Sequence, residues 1–111
     1  MLQQRVLQTG GMDAINSALA KQVCTDLMKD NNLTNIKIDY DKDLEAVYLW
    51  SQYEDGRLVA FLPTLYSKSI DFTLVNNLQQ KLSSSITFLA IVDNTANILY
   101  YQISNKLLEK Q

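Results

Sequence analysis

From residue 12 the apolar positions fall at helical spacing. Ile15, Leu19, Val23 and Leu27 recur every fourth residue, with Ala20, Cys24 and Met28 beside them. That spacing lines one face of a helix, predicted over about residues 12–30. Asp13 near its start and Lys29 near its end complement the helix dipole, and Asp30-Asn31-Asn32 stops it. The period then shortens to two. Ile36, Ile38 and Tyr40 face one way, and Lys37 and Asp39 the other, which predicts a half-buried strand. After the polar turn Asp41-Lys42-Asp43, residues 44–53 form a near-continuous apolar run, the pattern of a central strand covered on both faces. Glu54-Asp55-Gly56-Arg57 is a strong turn signal, since Asp-Gly readily adopts positive φ. A third strand returns over 58–62 and is expected to end at Pro63.

A crossing segment, TLYSKSI, leads to Asp71, a candidate N-cap for a second helix over 71–82. Leu74, Val75, Leu78 and Leu82 make its apolar stripe, Asn76, Asn77, Gln79, Gln80 and Lys81 its wet face, and Ser83-Ser84-Ser85 its end. Residues 88–104, FLAIVDNTANILYYQIS, are two apolar runs joined by a short polar loop, a predicted hairpin. Adjacent Tyr100 and Tyr101 must point to opposite faces of the last strand, so one ring calls for a partner that the domain's own core does not supply. The order α-β-β-β-α-β-β has no repeats and no internal linker. It predicts a single α/β (α+β) domain over 12–111, one mixed sheet packed against helices, after a mobile lead-in over 1–11.

Composition narrows the function. The 111 residues carry 12 acidic and 10 basic side chains, a net charge of −2, with the basic residues dispersed. A free-standing nucleic-acid binder normally shows a basic face or stripe. No apolar run reaches the roughly 20 residues of a membrane-spanning helix, so no membrane insertion is expected. The first residues, MLQQRVLQTGG, lack the apolar core of a signal peptide, and the single Cys24 suits a reducing compartment. Both predict an intracellular protein.

Histidine is absent, which removes the commonest acid–base group near neutral pH and the commonest metal ligand. Cys24 sits on the apolar stripe with no histidine to activate it, so it is expected in the core. Asp39, Asp41, Asp43 and Glu45 lack the glycine and terminal glutamate spacing of a calcium loop and read as a solvated turn. Lys81 beside Ser83, Ser84 and Ser85 reads as a helix C-terminus, and Gly10, Gly11 and Gly56 make no phosphate loop. No catalytic, metal or cofactor site is predicted from the residues.

The stretch 88–104 resembles the closing two strands of the tRNA-splicing endonuclease fold: apolar strand, acidic residue, short loop, then a strand ending in paired aromatics. The resemblance extends upstream through the strand before Pro63, the short crossing and the helix over 71–82, about residues 44–104 in all. Catalytic members carry a tyrosine, a histidine and a lysine around a glycine-rich segment leading to a His-Ser pair. Without these features, the chain is similar to the smallest, non-catalytic subunit, which pairs with a catalytic one and positions it for intron removal from pre-tRNA. The resemblance implies a partner interface at Ile98, Leu99, Tyr100, Tyr101 and Ile103. It also implies a docking loop, Asp93, Asn94, Thr95, Ala96 and Asn97, entering a basic cleft of a subunit in the opposite dimer, with Asp93 as its only negative charge. It implies a heterotetramer and contact with pre-tRNA only through the complex. The apolar edge of the last strand predicts a homodimer when the chain is isolated, and no cofactor is expected. The compartment implied is the nucleus or, in some yeasts, the mitochondrial outer surface. A small dimerising scaffold of the roadblock or longin kind has a similar order of elements and is the alternative.

Overall fold

Leu19, Ala20, Val23 and Leu27, four of the stripe residues, are buried along helix α1, Ala14–Leu27, in the computed structural model, which describes residues 14–82 and 86–103. The remaining elements are β1 (Leu33–Asp41), β2 (Ala46–Tyr53), β3 (Leu58–Leu65), α2 (Phe72–Lys81), β4 (Ile86–Val92) and β5 (Ile98–Ile103). The expected lead-in over 1–11, the start of the first helix at 12–13, the serines at 83–85 and the tail beyond 103 lie outside the described residues. Five strands form one mixed sheet in the spatial order β1-β2-β3-β4-β5. All neighbours are antiparallel except β3 and β4, which run parallel, with α2 as their crossover.

The helices cover opposite faces. Leu19, Val23 and Leu27 of α1 pack on Val47 and Leu49 of β2, Val59 and Phe61 of β3, and Ala90 and Val92 of β4. Val75 and Leu78 of α2 pack on Tyr48, Leu62, Leu89 and Ile103 from the other side. Alternate residues of the central strands therefore serve two cores, which is why 44–53 carries no polar period. β1 keeps its two-residue alternation only in part, since Ile38, expected on the inward face with Ile36 and Tyr40, is 38% exposed. Ile36 and Tyr40 join the α1-side core, while Lys37 lies 5.3 Å from the Trp50 ring centroid and Asp39 accepts from the Tyr48 hydroxyl at 3.4 Å. Between Thr34 and Lys37 the ladder slips by one residue at a bulge, with Asn35 at φ 56°. The fully buried Ser51 hydroxyl donates to the Thr34 carbonyl there at 2.6 Å.

Several local expectations are corrected by tertiary context. α1 is shorter than predicted at its C-terminal end, where residues 28 and 29 form a turn. Ile15 and Met28 are 60% and 69% exposed, because they lie at the two ends of α1 beyond the stretch that packs on the sheet. β3 does not end at Pro63 but continues to Leu65 in a parallel ladder with β4. Tyr66 donates its N–H to Val92 of β4, so by alternation the missing donor of Pro63 falls on the β2 side. The β2 ladder has already ended there, at Leu49–Phe61. Gln79, assigned to the wet face of α2, is buried, and its Nε2 donates to the Ile103 carbonyl of β5 at 2.9 Å.

α2 is anchored at both ends. The Asp71 carboxylate accepts from the N–H of Leu74 at 3.0 Å, as an N-cap does. Lys81 in the last turn reaches Asp41, the last residue of β1, at 2.6 Å and Asp43, in the turn that follows, at 3.4 Å. The hydrogen bond from Lys81, joined by one from the Leu44 N–H and by the charge of Lys81, holds the Asp41 carboxyl below its usual range. Among the described residues no helix is long and apolar enough to cross a membrane. Replacing Asp71 by Ala should cost about 1 kcal/mol through loss of the cap, and Asp71→Asn should stay near wild type. Urea midpoints at constant denaturant slope measure both.

Candidate partner interface

Among the described residues β5 is the last strand of the sheet and pairs on one side only, with β4, from Val92–Ile98 to Thr87–Ile103. Its other side carries the backbone donors and acceptors of an edge strand. Alternation divides its side chains. Ile98 and Tyr100 face α1 and are half-buried against that core. Leu99, Tyr101 and Ile103 face the α2 side, but only Ile103 is reached by the core, at 7% exposure. Leu99 and Tyr101 remain 59% and 54% exposed. Of the five residues implied as an interface, these two form the open apolar face. Ile103 is committed to the domain's own core, and Ile98 and Tyr100 are partly so.

Tyr100 is fixed by more than burial. Its hydroxyl donates to Asp26 Oδ2 of α1 at 2.6 Å, and its ring meets Phe61 edge-on, with centroids 5.9 Å apart. Phe61 in turn stacks on Phe88 at 5.5 Å. Desolvation, reinforced by the hydrogen bond to Asp26 and by its charge, pushes the Tyr100 hydroxyl pKa well above its ordinary value. Asp26 did not stand out in the sequence. The signal was present as an acidic residue in the last turn of α1, where the helix dipole favours a basic one.

The loop between β4 and β5 closes on itself. Asp93 N–H donates to the Asn97 carbonyl at 2.9 Å, and Ala96 adopts φ 70°. Asp93 Oδ1 accepts from the Thr95 hydroxyl and N–H, both at 2.8 Å, and from the Asn97 N–H at 2.9 Å. These bonds, that from the Thr95 hydroxyl foremost, hold the Asp93 carboxyl low. The one acidic group of the loop is thus ionised and fixed in position, with one oxygen devoted to the loop's own shape.

The other chemical candidates are dispersed. Cys24 packs half-buried against the α1-side core, and Lys81 is engaged by Asp41 and Asp43. Among the described residues no group of three His, Cys, Asp or Glu side chains is placed to hold a metal ion.

Tyr100→Phe should lower stability by about 1–2 kcal/mol at pH 7, because it strips a charged acceptor of its donor. The folded-state pKa of Tyr100 is raised above its unfolded value of about 10. The stabilisation is therefore complete below about pH 10 and lost as pH rises through the folded value. The gap between wild type and Tyr100→Phe should be constant from pH 7 to 9 and shrink above 10, as read from urea melts at each pH.

A comparison with protein families matches residues 22–110 to the family described as Sen15 protein. The match runs from within α1 past the end of β5 and covers most of the chain. A search among curated proteins finds no match. The edge hairpin, the mixed sheet between two helices and the extent of this match lead to one conclusion: the chain belongs to the Sen15 family, the small subunit of the tRNA-splicing endonuclease.

Proposed function

We propose that the chain is a non-catalytic, structural subunit that pairs through β5 with a catalytic subunit and helps to position it for intron removal from pre-tRNA. The observation that carries this reading is the exposed pair Leu99 and Tyr101 on an edge strand whose outer hydrogen-bonding groups have no partner strand among the described residues. A second chain laid along β5 would satisfy those groups and cover both side chains at once. The lack of histidine accords with a subunit that supports chemistry carried out elsewhere in the complex. Membership of the Sen15 family favours this reading over a roadblock or longin scaffold.

In this reading the isolated chain covers the same face by forming a homodimer, and within a heterotetramer the Asp93–Asn97 loop reaches a basic cleft of a subunit in the opposite dimer. Pre-tRNA is met only through the complex, since a net charge of −2 provides few phosphate contacts.

The double variant Leu99→Ser, Tyr101→Ala should remain folded, with stability within about 0.5 kcal/mol of wild type, because both side chains are exposed. It should nevertheless weaken pairing at least tenfold, as truncation of an interface aromatic costs about 2 kcal/mol or more. Co-purification with a co-expressed catalytic subunit and sedimentation of the isolated chain measure the two associations. A folded double variant that retains wild-type partner affinity would remove the basis of this assignment.

A further inference from the structure

On the α1 side, the sheet is left partly open where α1 ends. A cavity of about 220 Å3 lies there, and its lining includes Asp26, Asp30, Tyr53, Phe61, Phe88 and Tyr100. That exceeds the ~150 Å3 of an engineered apolar cavity that admits benzene. Four aromatic rings from four strands meet at this one place. Phe61 stacks on Phe88, and Tyr100 stands edge-on to Phe61.

The two carboxylates make this more than an apolar hollow. Asp26 lies in the last turn of α1 and Asp30 just beyond it, where the free carbonyl ends of the helix already concentrate negative potential. No basic residue lies in that turn, and Lys29 forms no ion pair with either acid. The bonds that the two side chains do make come from neutral donors: the Tyr100 hydroxyl to Asp26, and the Asn32 N–H to Asp30 at 2.9 Å. Two negative charges and a helix C-terminus converge there beside aromatic rings, and among the described residues neither carboxylate is paired with a cation. At the border, the guanidinium of Arg57 lies 5.0 Å from the Tyr53 ring centroid, held by Asp55 at 2.9 Å. A ring of this cavity thus already stacks against a guanidinium.

We infer that the cavity is a receptor for an arginine side chain of a partner protein. A planar guanidinium stacks on aromatic rings and at the same time donates a fork of hydrogen bonds to carboxylates. Such a group matches the ring floor and the Asp26–Asp30 rim together. Phosphate is repelled by the same charges, which excludes the RNA backbone as occupant.

The test is an NMR titration of the 15N-labelled full-length chain with N-acetyl-arginine amide, using N-acetyl-citrulline amide as the uncharged isostere. The arginine probe should give saturable shifts at Tyr53, Phe88 and Tyr100, weakened by added salt, and the citrulline probe should not. Asp30→Asn, at an exposed side chain, should weaken arginine binding at least fivefold without moving the urea midpoint. Equal shifts from citrulline, no saturable shift near these residues, or unchanged affinity in Asp30→Asn would each overturn the inference. The titration uses the isolated chain and a free amino-acid amide, so its failure leaves pairing through β5 untouched.

Discussion

The parallel ladder between β3 and β4 is the constraint on which the rest of the structure depends. Antiparallel neighbours can be joined by a tight turn, but parallel ones need a crossover over one face of the sheet. Here α2 is that crossover, and its residues Val75 and Leu78 bury against Tyr48, Leu62 and Leu89. α1 then covers the opposite face, and the central strands are buried from both sides, with Leu49, Val59, Ala60 and Ala90 fully enclosed. Two antiparallel strands, β2 and β1, extend the parallel pair beyond β3, and one, β5, extends it beyond β4, so β1 and β5 become the edges.

The two edges are not equivalent. β1 is guarded in ways that discourage pairing: a bulge at Asn35, and Lys37 and Asp39 projecting from a face occupied by polar contacts. β5 is short and straight in register, and it carries Leu99 and Tyr101 outward with no charged residue along its length. Its N-terminal turn is rigid, held by three hydrogen bonds to one oxygen of Asp93. The contrast between this open edge and the protected one is what supports the pairing proposed for β5.

Much of this was legible in the sequence, for identifiable reasons. The two helices and the hairpins follow from local periodicity and turn chemistry, and Asp71 and Asp55-Gly56 act as their types dictate. What could not be read depends on partners distant in sequence. Pro63 sits within β3 because the β2 ladder stops two residues earlier, a matter of strand offset. Gln79 is buried because the carbonyl of Ile103, 24 residues on, accepts its amide. The opposed faces of Tyr100 and Tyr101 were evident from strand geometry alone. Which ring belonged inside was not, since the answer rests on Asp26, 74 residues away.

That distant contact also links the two faces of β5. The strand turns Tyr101 to open solvent on the α2 side, while Tyr100 is drawn against Phe61 and tied to α1 on the other. An exposed interface residue is most effective when its strand does not have to be ordered on binding, because ordering consumes part of the association energy. In the pairing proposed above, the Tyr100–Asp26 bond would act without touching the partner, by holding the strand from behind. The acid placed against the dipole of α1 is unfavourable as a helix terminus. It is intelligible as the anchor of an edge strand, and with Asp30 as one wall of the arginine receptor proposed above.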